Sequence, residues 1–380
     1  MKIALFCHSL LSDWNHGNAH FLRGIVAELC GRGHQVRSYE AADAWSAANL
    51  TAEHGEAPLD ELRRVYPQLD IHRYEPERLD LDQVLDGVDL ALVHEWNEPE
   101  LVAAVGRARS RGAKFTLLFH DTHHRSITEP DAMQRFDLSA YDAVLAFGEA
   151  VRQQYLRRGW SRRVFTWHEG ADVRRFKPLP DTPKQADLVW IGNWGDEERT
   201  RELYEFLLDP VQRLRLRATV HGVRYPEEAR AALARAGLTY GGWLPNYRVP
   251  ETFAAHRVTV HVPRRPYASA LPGIPTIRVF EALACGIPLV SAPWSDDEAL
   301  FDPGDFLLAR SGREMSDAIA AVLNDARLAA DLARRGRQAI LARHTCGHRV
   351  DQLLQIARRL AEPKPDEPSE QTHNTTVEVA

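Results

Sequence analysis

The sequence predicts an α/β protein with two doubly wound parallel sheets, and three observations carry that prediction. First, residues 2–8 (KIALFCH) form an apolar strand run, and residues 18–30 place Phe21, Leu22, Ile25, Val26 and Leu29 at helical spacing. Residues 35–39 resume strand character, so the chain opens strand, helix, strand, which calls for parallel pairing. Second, a fresh series of the same kind starts at 188–192, after a stretch, 179–185, that carries Pro180 and Pro183. Third, 380 residues suffice for two domains of ordinary size.

Bulk properties narrow the class. With 44% hydrophobic and 26% charged residues the composition is that of a soluble globular protein. A net charge of −6 argues against a general nucleic-acid binder. Cys7, Cys30, Cys285 and Cys346 are scattered without close pairing, as expected of reduced thiols in a cytoplasmic protein. The apolar start lacks a small-residue cleavage site and Asp13 follows closely, so it reads as a first buried strand. No segment approaches the length of a membrane span.

In order along the chain, Gly31 and Gly33 end the first helix. Residues 40–88 have no clean period and read as an insertion or an extra lobe. Strands at 90–94, 114–120, 143–147 and 164–167, with helices near 99–111 and 149–158, complete the first sheet. The first domain then spans 1–178. A second domain, 186–345, has strands at 188–192, 217–221, 258–262, 287–291 and 306–309. Its helices fall near 200–208, 226–236, 250–256, 277–285 and 313–324, and helical segments at 326–342 and 349–360 close the fold. Residues 362–380, rich in proline and charge, are expected to be a disordered tail.

One stretch carries chemistry. In LPGIPTIRVFEALACGIPLVSAPW (271–294), Gly273 supplies backbone freedom, Pro275 fixes the dihedral at a helix start, and Gly286 stops that helix. A glycine loop opening into a helix, with Glu281 about a turn inside, suits a nucleotide. Free N–H groups and the positive dipole end attract phosphate, and a carboxylate accepts from two ribose hydroxyls. A glycine-bounded strand-and-helix unit with one acidic residue also occurs in many α/β proteins, so the pattern alone leaves both readings open.

RVFEALACGIPLVSAP resembles the donor-site signature of glycosyltransferases with two Rossmann-like domains (GT-B), in the large retaining, family-4-like group (glycosyl transferases group 1). That signature reads E-x7-E-A-x-A-x-G-x-P. Glu281 falls on its second glutamate, and Gly273 stands where the first would fall. The branch most similar to the chain is that of the spore-maturation CgeB-like proteins. LCGRGHQV resembles the family's L-x-x-R-G-H-x-V, and HEGADVRRFKP (168–178) resembles its N-G-V-D-x-x-x-F-x-P crossover segment. The resemblance implies two domains facing a cleft, with the last helix, 346–361, crossing back to the first. It implies a nucleotide-diphosphate sugar as co-substrate, without metal or other cofactor, and transfer to an acceptor hydroxyl or amine. The acceptor can be a small molecule, a glycan or lipid-linked. Because Gly273 replaces the usual first glutamate, retention or inversion stays open.

Residue by residue, the resemblance places Glu281 on the ribose, which requires its side chain to face the opening between the lobes. Gly17, Asn193, Gly273, Pro275, Thr276 and Ile277 join it on the donor side, with Trp243 and Leu244 of YGGWLPNY at the base. Arg199, at the start of a helix, is the phosphate candidate, since a guanidinium grips two oxygens at once. The alternative is a solvated helix in which Arg199 and Arg201 pair with Glu197, Glu198 and Glu202. Arg264 and Arg265 form a second basic cluster of either kind. In the first domain, His120 and Asp121 end a buried strand, where ligands gather in open α/β sheets. His120 is expected to take the acceptor proton, with Asn18, Glu95 and Asn97 on the acceptor side. His120, Asp121, His123 and His124 match no common zinc spacing, so no metal site is expected. Two further readings stay in play: a sugar-nucleotide epimerase or hydrolase, and a nucleotide-sugar binder without catalysis.

Overall fold

Apolar β-branched runs bounded by glycine and proline build the fold. The structure, a computed structural model, describes residues 1–112, 114–195 and 197–362. Among these residues the strands form two all-parallel sheets, of seven and six strands. The first comprises β1 (Lys2–Phe6), β2 (Gln35–Ala41), β3 (Asp70–Tyr74), β4 (Leu90–His94), β5 (Thr116–Asp121), β6 (Ala143–Ala146) and β7 (Val164–Thr166), in the order β3-β2-β1-β4-β5-β6-β7. The second comprises β8 (Ala186–Ile191), β9 (Ala218–His221), β10 (Leu238–Tyr240), β11 (His256–His261), β12 (Leu289–Ser291) and β13 (Leu307–Leu308), in the order β10-β9-β8-β11-β12-β13. Ile3 lies between Val36 and Leu90, which fixes the central register of the first sheet. All five residues of β4 are buried, as helices on both faces require, so its apolar run does not alternate. In each sheet the strand order reverses beside the first strand, between β1 and β4 and between β8 and β11. Ligands collect beyond the carboxyl ends at such points.

Two expectations change here. Residues 40–88 are part of the first sheet, not an insertion: helices Trp45–His54 and Ala57–Val65 lead into β3, which pairs with β2. The sequence hides β3 because it is an edge strand with no buried residue, so no apolar alternation marks it. The helix expected to stop near 208 runs on to Leu214 through a π-turn at Tyr204–Leu208. Asp209-Pro210 reads as a stop, yet the wide turn tolerates a residue without an N–H.

The last helix, Cys346–Ala361, lies on the first domain. Trp167 Nε1 donates to the Arg349 carbonyl at 2.9 Å, Arg349 Nε donates to the Glu169 carbonyl at 3.0 Å, and Arg32 pairs with Asp351 at 2.5 Å. Gly24 permits this closeness, since a Cβ there would sit 2.4 Å from Cys346 Sγ and 2.9 Å from Asp172 Cβ. Gly24→Ala is therefore expected to destabilise the fold by about 1–3 kcal/mol through overpacking. An unchanged urea midpoint would contradict this account of the helix docking. Cys7, Cys285 and Cys346 are buried free thiols and Cys30 is half-buried. No helix among the described residues is long and apolar enough to cross a membrane. The tail expected over 362–380 lies, but for Glu362, outside the described residues.

Candidate active site between the two sheets

A cavity of about 370 Å³ lies where the carboxyl ends of the two sheets meet. Its second-domain wall is cationic. Helix Ile277–Cys285 begins there, with Thr276, Ile277 and Arg278 on the lining. The first N–H groups of a helix have no partner within it, and its dipole is positive at that end. Thr276 does not cap them, because its Oγ1 is turned to His261 Nε2 at 3.1 Å. Arg199 also lines the cavity, held by the Asn193 carbonyl at 2.6 Å and the Val262 carbonyl at 3.1 Å, over the Trp190 ring. Burial, together with Arg264, lowers its pKa to about 10, which leaves it a cation at neutral pH. Arg264 lines the same wall and pairs with Glu198 at 2.9 Å. Three guanidinium groups and a helix end on one wall suit a multiply charged anion. Arg265 is off the wall, exposed and bonded to Glu202.

Other expected donor residues bridge the domains. Gly17 lines the cavity, and a Cβ there would meet Ile277 at 3.4 Å. Asn193 hydrogen-bonds Asn15 and accepts from Val223 N at 3.2 Å. Trp243 Nε1 donates to Asp13 at 3.1 Å, while its ring packs near His54, and Leu244 lies beside it on the lining.

Several expectations are corrected by position. Glu281 is fully buried and does not line the cavity. Its Oε1 accepts from Asn246 Nδ2 at 2.7 Å and lies 3.0 Å from His20 Nδ1, while its other oxygen binds Arg278. Burial alone would raise its pKa, but Arg278, His20 and Asn246 outweigh burial and hold it below the ordinary value. The structure places Glu281 off the lining, where it anchors Arg278, three residues nearer the helix start. Gly273 and Pro275 are also off the lining. Gly273 has φ +87°, and a Cβ there would stand 2.5 Å from Glu298 Cγ. Glu298 fills that place and clasps the first domain, accepting from Glu149 N at 2.8 Å and lying 2.7 Å from His168 Nε2.

His120 and Asp121 are wholly buried and reach neither this cavity nor the one beside it. They lie inside the sheet, with His120 opposite His94 and Leu145 and Asp121 opposite Ala146, and the chain emerges only at Thr122 and His123. His120 packs on Trp167 and His94, and burial lowers its pKa to about 3. Asp121 accepts from Tyr155 Oη at 2.8 Å, and burial raises its pKa. On the acceptor side, Asn18 lines the first cavity, while Glu95 and Asn97 line the second. Glu95 pairs with Arg125 at 2.9 Å and accepts from Thr122 N at 2.7 Å. Among the described residues no three His, Cys, Asp or Glu side chains group as metal ligands do.

Arg278, His16 and Glu169 are among the lining residues that the sequence reading does not single out. The spacing of Arg278 and Glu281, three apart on one helix, was a legible pairing signal. His16 adjoins Gly17-Asn18, and Glu169 lies in the HEGAD segment where the family pattern has asparagine. His16 is buried, its Nε2 has no partner, and burial keeps the ring neutral by pushing its pKa well down. Glu169 accepts from Asn18 Nδ2 at 2.6 Å, and burial lifts its pKa to about 8, against the Asn18 bond. A carboxyl raised above its unfolded value favours the folded state only while protonated. Its stabilisation is complete below about pH 4.5 and is lost as pH rises to about 8. Relative to Glu169→Gln, the wild-type chain should lose a few kcal/mol of stability, of order 1.4 per pKa unit, between pH 5 and 9. Parallel urea-stability curves for the two would refute this.

Residues 199–355 match the family described as glycosyl transferase-like. No curated protein sequence matches the chain. Solved structures share the fold over nearly its whole length. Sucrose-phosphate synthase from Thermosynechococcus elongatus is 17% identical with a TM-score of 0.65, covering 95% of this chain and 99% of its own. Anabaena HepE in complex with UDP and glucose is 16% identical with a TM-score of 0.67, covering 94% and 99%. A mutant of T4 phage BGT in complex with UDP-glucose is 13% identical with a TM-score of 0.59, covering 96% and 100%. The chain thus shares the two-domain GT-B fold of these structures, and residues 199–355 match a glycosyl transferase-like family.

Proposed function

We propose that the chain transfers a sugar from a nucleotide-diphosphate sugar to an acceptor hydroxyl or amine, in the cavity between its sheets. The observation that carries this reading is that Arg278, Arg199, Arg264 and the start of helix Ile277–Cys285 line one cavity together with His16 and Glu169 of the first domain. The cationic wall suits the diphosphate, and its guanidinium groups can balance the leaving charge without a metal. Protonated Glu169 adds no charge against the diphosphate and can donate to a donor oxygen. Neutral His16 is on the lining with a buried, unpartnered Nε2, and a turn of its ring toward the cavity presents that nitrogen to the acceptor proton. The acceptor oxygen or nitrogen bonds to the anomeric carbon, whose bond to the diphosphate oxygen breaks. The diphosphate keeps that electron pair. Interdomain contacts such as Trp243–Asp13 and His168–Glu298 hold the two domains together around the cavity, and the exclusion of water there limits wasteful hydrolysis of the donor.

The reading of a cytoplasmic enzyme with the sugar nucleotide as co-substrate, and no other cofactor, belongs to the same proposal. It is tested by incubating the chain with UDP-, GDP-, ADP- and dTDP-linked sugars, labelled in the sugar, and a panel of acceptors. Label carried onto an acceptor is the expected result. Label appearing only as free or epimerised sugar would replace transfer with hydrolysis or epimerisation, and saturable binding without turnover would leave a binding protein.

A further inference from the structure

A second cavity, of about 820 Å³, lies in the first domain beyond the carboxyl ends of β1, β2, β3 and β4. It shares the side chains of Trp45 and Trp96 with the interdomain cavity, so the two adjoin across a wall of indoles. Its size is that of a site for a drug-sized ligand. Its walls are apolar: Tyr74 lines it from the edge strand, Leu81 and Leu101 from two helices, and Leu79 and Phe136 from connecting segments. Its charge is unbalanced. Asp43, Glu98 and Glu100 are exposed on its lining, with Arg135 as the exposed cation. Arg125 contributes little further positive charge, since it is paired with buried Glu95 at 2.9 Å and stacked 4.0 Å over the Trp96 ring. Such a cavity takes an apolar ring-sized body and repels an anion.

We propose that this cavity binds the body of the acceptor, a hydrophobic small molecule without negative charge, and presents its hydroxyl or amine past Trp45 and Trp96 toward His16. This rests on the transferase reading and adds the substrate class to it. His8, on the second cavity, and His16, on the first, pack edge to face with ring centroids 5.4 Å apart, so only these rings and the shared indoles separate the two cavities there. The acidic lining disfavours acceptors carried on a phosphate, such as polyprenyl phosphates.

Calorimetric titration of the full chain with 2-naphthol and with 6-hydroxy-2-naphthoate tests it, because the two probes share the ring and differ in charge. Saturable binding of 2-naphthol is expected, with the carboxylate at least tenfold weaker. Ala104→Phe, which fills the cavity from its helix side, should weaken 2-naphthol at least tenfold and leave UDP titration unchanged. Phe136→Ala, which removes an apolar wall, should weaken 2-naphthol as well and covers the case in which Ala104→Phe does not fold. Equal affinity for the two probes, or 2-naphthol binding indifferent to both substitutions, would overturn the proposal. UDP binding without any 2-naphthol binding would sink this inference alone, and failure of both ligands to bind would sink the donor reading with it.

Discussion

His16→Ala is expected to lower kcat by about 10²–10⁴-fold, the usual contribution of a positioned general base. Donor affinity should change little, because the neutral His16 ring sets no charge against the diphosphate. The ring is neutral at working pH, since burial pushes its pKa well below the ordinary value. A depressed pKa means that the group loses its base function only as pH falls through that low value. Wild-type kcat should therefore hold across the neutral range and show no His16 limb near pH 6.5. Retention of more than a tenth of wild-type kcat in His16→Ala, with the fold intact, would remove His16 from the proton path. His120→Ala serves as the contrast. It removes a buried ring from between Trp167 and His94, so its cost falls on stability and not on the chemical step.

Glu281→Ala is expected to destabilise the chain by about 3–5 kcal/mol, the loss typical of breaking a buried ion pair by deleting one partner. The substitution strips Arg278, His20 and Asn246 of a shared acceptor at once. Urea unfolding should show a lower midpoint at an unchanged slope. Nucleotide binding should weaken too, through a misplaced Arg278. A ribose contact alone predicts the reverse: weaker binding at full stability. A Glu281→Ala protein as stable as wild type would contradict the anchoring role, and weaker nucleotide binding by that stable protein would support a ribose contact.

The sequence was most legible where periodicity follows burial. Fully buried β4 and the helix Ala19–Gly31, with ten buried residues, announce themselves as apolar runs at strand and helix spacing. The helix start at Thr276–Ile277 could be read because Pro275 and Gly286 bracket it. The exposed edge strand β3 carries no such signal. The site was legible to within a few residues and then failed for a geometric reason. A motif gives the element that reaches the cavity, but not how far along it the side chains stop facing open space. On β5 the last buried residue is Asp121, so Thr122 and His123 face the cavity in place of His120. On the helix after Gly273, Arg278 covers Glu281. Gly273 itself shows why the first glutamate of the family signature is missing: its positive φ and the nearby Glu298 leave a side chain no room.

The cationic wall of the interdomain cavity is expected to grip a nucleoside diphosphate. Calorimetric titration of wild type and Arg278→Ala with UDP, GDP, ADP and dTDP tests it most directly. At least one nucleotide should bind one-to-one, and the substitution should weaken it by about 1.5–3 kcal/mol, the range for hydrogen bonds to a charged group. Absence of saturable binding by all four, or equal affinity in a folded Arg278→Ala protein, would contradict the account.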